Sequence, residues 1–189
     1  MFKSLKAILF LFVFLQTIAS VNAQAVIKKA STDAAIENAI LVDVNAYRKK
    51  YHLAPLKMDA HISQQAKNHS RNMAKHQVPF GHKNFFKRVD IIRKEVKNAG
   101  AAAENVAYNY KDAHDVVKNW MLSPGHKKNI LGNYNLTGIG IVRDARGKIH
   151  FTQMFVKTGA PKTVSRRSVA RTTPFPHFSL GSIFKRSTS

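Results

Sequence analysis

The chain has 189 residues, no cysteine, and 31 Lys and Arg against 10 Asp and Glu, a formal charge of +21. This length suits one domain with extensions, and the missing cysteines exclude both a disulfide framework and lipid attachment through cysteine. The charge predicts attraction to polyanions such as anionic lipid head groups or wall polymers, against the simpler reading of a solvated basic surface.

Residues 1–23, MFKSLKAILFLFVFLQTIASVNA, read as a secretory signal. Lys3 and Lys6 precede an apolar run from Ala7 to Ile18, and Val21 and Ala23 form a V-x-A cleavage site. The run is about a dozen residues, short of the roughly 20 that span a bilayer; an uncleaved anchor is the competing reading. Loss of Lys3 and Lys6 leaves +19 of the +21 on the mature chain. Export to an extracellular or periplasmic location makes a specific nucleic-acid partner unexpected, whereas peripheral membrane contact fits the charge.

Residues 24–35 read as a linker and 36–158 as the folded domain. From about Ala35 to Tyr51 the spacing of Ile36, Ile40, Val44, Tyr47 and Tyr51 predicts a helix. Pro55 breaks it. A second helix is predicted from the N-cap Asp59 to about His76, with Ile62, Ala66, Ser70 and Met73 as its inner stripe. A weaker third runs from Phe85 to Lys97 and is expected to end at a Gly100 cap.

Asn105 to Tyr108 reads as a strand. Asp112 and Asp115 have the spacing of a capping box, opening a helix that turns Val116, Val117, Trp120 and Met121 inward. Leu136 to Arg143 and Lys148 to Lys157 alternate as two strands joined by an Asp144–Gly147 turn. Helices first and an antiparallel hairpin last give an α+β class. Residues 159–189 lack acidic residues and periodicity and read as a basic, disordered tail. No internal repeat is present, and a monomer is expected.

Most of the nine histidines do not suggest a metal centre. His61, His69 and His76 stand seven or eight residues apart on one helix, roughly 10–12 Å, too far to share an ion. With His52, His114 and His177 they are expected in surface or capping roles. Three other residues stand at element boundaries beside apolar neighbours. His82 follows Pro79-Phe80-Gly81, Glu104 follows three alanines, and His126 follows Pro124-Gly125. A carboxylate among small and apolar residues needs a hydrogen-bonding or charged partner. Pro124 is expected to stop the helix, Gly125 to turn the chain sharply, and His126 to point inward over Trp120. Gly138 and Gly140 suit either a close backbone approach or simple tight packing.

The segments VNAYRKKYHLAPLKMD, HSRNMA, FGH, AAENVAY, NWMLSPGHKKNIL, TGIGIV and FTQMF occur in the order of the CAP superfamily, also called the SCP-like domain. The chain resembles the secreted bacterial branch of that family over about residues 38–157. The resemblance implies an α-β-α sandwich, with a small antiparallel sheet between helical layers and a central cleft. In many members two histidines and two glutamates line that cleft, and the histidines can hold zinc or another divalent cation. Carried over, these are His82, His126 and Glu104, with Asn105 and Ser123 also lining the cleft; the second glutamate position is Ser123. The H-F-T-Q-M run at His150 matches a eukaryotic signature literally, but it follows Gly138 and Gly140, whereas His126 precedes them as the family order requires. The leading expectation is a secreted binding module for a lipid, envelope polymer or other extracellular ligand. The alternatives are a metal-dependent hydrolase, with Glu104 as base for a metal-bound water, and a cationic polyanion binder with a vestigial cleft.

Overall fold

A computed structural model of the chain describes residues 32–159. The signal at 1–23 and the basic tail beyond Gly159 lie outside them, as do residues 24–31 of the expected linker. Residues 32–35 of that linker are helical, extending helix α1 over residues 32–50. Its inner stripe holds Ile40 and Val44, both fully buried, while Tyr51 is 47% exposed and Arg48 takes the inner position instead. The Arg48 guanidinium donates to the carbonyls of Ala54, Ile130, Gly132 and Tyr134 at 2.8–3.1 Å. It thereby ties the end of α1 to a turn eighty residues away.

Strand β1 is the pair Lys57–Met58, which alternation over two residues could not reveal. Helix α2 spans Ala60–Ala74, and Asp59 caps it by accepting from the Ile62 amide. Helix α3 spans Phe85–Glu95. The expected Gly100 cap is not there: Val96 ends α3, and Gly100 lies inside strand β2, Ala99–Tyr108. The alanines before Glu104 therefore extend the strand that Asn105–Tyr108 announced.

Helix α4 spans Ala113–Leu122, and its Asp112 cap accepts from the Asp115 amide. Pro124 does stop it, but the chain does not then turn in a loop. Ser123 is extended and Pro124 opens a new helix, α5, over Pro124–Ile130. Proline suits a first helical position because its missing N–H would have no partner there. Strands β3, Leu136–Arg143, and β4, Ile149–Thr158, form the expected hairpin.

The sheet order is β1-β3-β4-β2, antiparallel except for the parallel β1–β3 pair. Alternation along β4 separates two cores. Ile149, Phe151 and Phe155 join α1 and α4 residues such as Ile40, Val44, Val117 and Trp120. Met154 and Val156 join Ile62, Ala66, Val89 and Ile92 from α2 and α3. The result is an α+β sandwich with helices on both faces. Gly138 and Gly140 have a packing reason: a Cβ at either would collide with the α2 backbone, at Ile62 and Ser63 or at Ala66 and Lys67. Among the described residues, no helix is long and apolar enough to cross a membrane.

Candidate functional site

Glu104 sits on β2 with its side chain 1% exposed. A buried carboxylate is costly unless both oxygens are matched, and here they are. Arg88 of α3 donates Nε–H to Oε2 at 2.9 Å and Nη2–H to Oε1 at 2.7 Å, a bidentate fork. His82, in the α2–α3 loop, places Nδ1 2.9 Å from Oε1. Arg88 also donates to the Lys83 carbonyl at 2.7 Å, so the same guanidinium holds the loop that carries His82.

His69 was expected on the surface and is instead buried, its side chain 1% exposed and its Nε2 3.9 Å from Glu104 Oε1. Its position relative to Ile62 and Ala66, seven and three residues on, puts it on the inner stripe of α2, which was the available signal. The Nε2–H donates to the Gly81 carbonyl at 2.7 Å, which fixes the tautomer. Gly81 has φ +132°, a conformation that glycine accepts and other residues strain to adopt. Burial is the main reason the His69 imidazole titrates below its ordinary value. Arg88 gave no comparable signal: its position beside Val89 did not single it out among basic residues. His61 and His114, by contrast, have side chains 59% and 77% exposed, as surface roles require.

His126 rides on α5, its ring centroid 6.4 Å from that of Trp120. Gly125 lies within the helix and makes no sharp turn. His126 is held below the ordinary imidazole value, first by burial and then by the neighbouring charge of His82. With Ser123, Trp120, Tyr110, Tyr108 and Phe80 it lines a cavity of about 330 Å³. Asn105 is fully buried and not among the residues lining that cavity; it braces the wall. Its Nδ2–H donates to the His126 carbonyl at 3.2 Å, and Asn129 donates to the Asn105 side chain at 2.9 Å and to the Glu104 carbonyl at 3.1 Å. The helix bearing His126 is thus clasped to the strand bearing Glu104.

The four-stranded sheet with helices on both faces is a CAP-type fold; His126 lines the cavity, while His82 and Glu104 are bonded to each other and are not among its lining residues. The family profile for the cysteine-rich secretory protein family, CAP, matches residues 41–155, and the chain belongs to that family. It does so without a single cysteine. It is 36% identical over 128 residues to the uncharacterized protein YkwD of Bacillus subtilis, covering 67% of this chain and 49% of YkwD. It is 33% identical over 124 residues to the uncharacterized membrane protein YlbC of the same species, covering 64% of this chain and 34% of YlbC. The chain therefore spans half or less of these relatives. An extracellular SCP-domain protein of Bacillus anthracis has the same fold, with TM-score 0.58 and 23% identity over 67% of this chain and 41% of that one. An outer surface protein of Borrelia burgdorferi gives TM-score 0.56 and 21% identity over 63% of this chain and 90% of that one.

Proposed function

We propose that this CAP domain is an exported binding module whose ligand enters the cavity between Phe80, Tyr108 and the Trp120–His126 pair. The observation that carries this reading is the state of Glu104. Both of its oxygens are bonded to Arg88 and His82, and its side chain is 1% exposed. A general base must reach a substrate proton, and Glu104 is withdrawn from solvent, with Arg88 on both oxygens and His82 on Oε1. The carboxylate orients the site instead. The cavity walls are mostly aromatic and apolar with a few polar groups, the composition of a ligand pocket. Placement outside the cell agrees with the signal-like first 23 residues and with the extracellular and outer-surface relatives.

His82 and His126 are the residues that would hold a divalent cation such as zinc, the charge of His82 being felt at His126. His82 uses Nδ1 toward Glu104, leaving Nε2 as donor, and a carboxylate behind a ligating imidazole is a common arrangement. His126 favours the neutral, ligating form through burial. Among the described residues, no group of three or more His, Cys, Asp or Glu is placed to hold a metal, so water or the ligand would complete the shell. A bound cation would supply an attachment point for an oxygen-bearing ligand; His82 and His126 would hold it, and Glu104 would fix the ring of His82. The excess of 31 basic over 10 acidic residues favours an anionic envelope polymer or lipid surface as the setting. The hydrolase alternative requires Glu104 to release one of its partners.

Binding of the full mature chain to wall polymer and to anionic vesicles, with Tyr110→Ala and His126→Ala compared with wild type, tests the reading. Cleft variants should lose ligand affinity while keeping their fold. Turnover of a bound ester or amide that disappears in Glu104→Gln would favour the hydrolase.

A further inference from the structure

A second cavity of about 270 Å³ shares Phe80 and Tyr108 with the first and none of its other lining residues. Its walls include Met73, Val78 and Pro79, with His150 of β4 inside and Arg146 and His76 bordering it. His150 has a side chain 6% exposed, and its Nε2 lies 3.8 Å from Asp144 Oδ2, beyond hydrogen-bond distance. Among the described residues neither buried ring nitrogen has a hydrogen-bond partner within reach, and Asp144 acts on the ring through its charge. The first cavity is not lined by His150, Arg146 or His76.

We propose that this cavity is a second binding site, for a small neutral molecule carrying a hydroxyl on an apolar ring. An imidazole presents one N–H donor and one nitrogen acceptor, and leaving both unmatched in the interior is costly. A hydroxyl donates and accepts, so it matches either tautomer. The charges at the border are already paired with each other and offer a ligand ion no free partner. A ligand cation would meet Arg146, and a ligand anion would meet Asp144 beside the ring. These two groups pair with each other at 3.5 Å, and both bond the Tyr108 hydroxyl: Arg146 donates to it at 2.9 Å and it donates to Asp144 at 3.2 Å. The border is therefore close to neutral. His76 adds an imidazole, not a fixed charge. The volume lies below the usual range of about 300–1,000 Å³ for drug-sized ligands, which limits the occupant to about one substituted ring. Tyr108 stands 4.6 Å from the His150 ring and 6.4 Å from Phe80, centroid to centroid, and supplies an aromatic wall.

The probe is 4-methylphenol, titrated into the full chain while the histidine ring signals are followed by nitrogen–proton correlation NMR. The His150 signals should shift saturably at millimolar probe. Toluene, which has the same ring without the hydroxyl, should bind about tenfold more weakly, the worth of one net hydrogen bond. Benzoate should bind no better than toluene. His150→Phe should abolish the interaction, and the wild-type titrations decide the matter even if that variant folds poorly. Unmoved His150 signals, meaning a cavity that holds water only, would overturn the proposal. So would toluene binding equal to that of 4-methylphenol, or shifts at His126 in place of His150.

Discussion

Arg88 and Glu104 form a two-bond fork at 2.9 and 2.7 Å with side chains only 8% and 1% exposed, joining α3 to the sheet's edge strand. Removing one partner leaves a buried charge without compensation, which costs about 3–5 kcal/mol. Arg88→Ala should therefore lower stability by about that much, read from urea denaturation midpoints. Glu104→Gln combined with Arg88→Met should lose less than the two single changes added together, because the pair is coupled. Additive losses would show that the fork is not a unit.

Gly138→Ala and Gly140→Ala should each destabilise the domain, because the added methyl meets α2 backbone and not a movable side chain. Overpacking of this kind costs about 1–3 kcal/mol or more. Gly125→Ala, with open space around its Cβ position, should be neutral or slightly stabilising through higher helix propensity. Thermal melting of the three variants checks the contrast.

Stability should fall on mild acidification. Burial holds His69 and His150 below the ordinary imidazole value. The unfolded chain takes up protons near pH 6.5, whereas the folded chain does so only at lower pH. Below about 6.5 the unfolded state binds more protons, so stability declines until the folded-state values are passed. Denaturation midpoints at about pH 7.5 and about pH 5.5 should show the drop, and it should be smaller in His150→Phe. A midpoint independent of pH over this interval would contradict the burial of these rings.

Zinc should bind weakly, through His82 and His126 together. Each alanine variant should lose most of the affinity, and Glu104→Gln should cost about tenfold by freeing the ring of His82. Affinity should fade as the pH drops through the imidazole range. Calorimetric titrations in which both alanine variants bind like wild type would remove the metal reading.

Attraction of the mature chain to anionic vesicles should weaken steeply with salt, since the Debye length shrinks to about 8 Å at physiological ionic strength. Salt-independent binding would place the affinity in the apolar cavity instead.

The elements were legible wherever periodicity ran long enough. Ile40 and Val44, Ile62 and Ala66, and the alternation of β4 all report their buried faces directly. The two-residue β1 was not legible, because two residues cannot establish a period. Helix α5 was hidden by Pro124, which reads equally as the end of one helix or the start of another. At the site, Glu104, His82 and His126 stood out as polar residues at apolar boundaries. Arg88 did not, because it looks like one of several basic residues on α3, and His69 was legible only through its place on the inner stripe of α2. Their roles depend on what the sheet brings opposite them, and that pairing is a tertiary fact.

The clasp of α5 on β2 bears on self-association. β2 is an outer strand, and unpaired outer strands invite a second chain to add alongside. Two of its successive same-side carbonyls, Glu104 and Val106, already accept from Asn129 at 3.1 Å and Trp120 at 3.5 Å. At the opposite margin, β1 is only two residues long and the Glu37 carboxylate takes the Ile141 amide at 3.1 Å. Trp120, which lines the cavity, and Asn129 thus also occupy carbonyls that an added strand would need. Variation that loosens α5, for instance at Asn129, would expose a template for intermolecular strand addition, and aggregation would accompany any loss of binding.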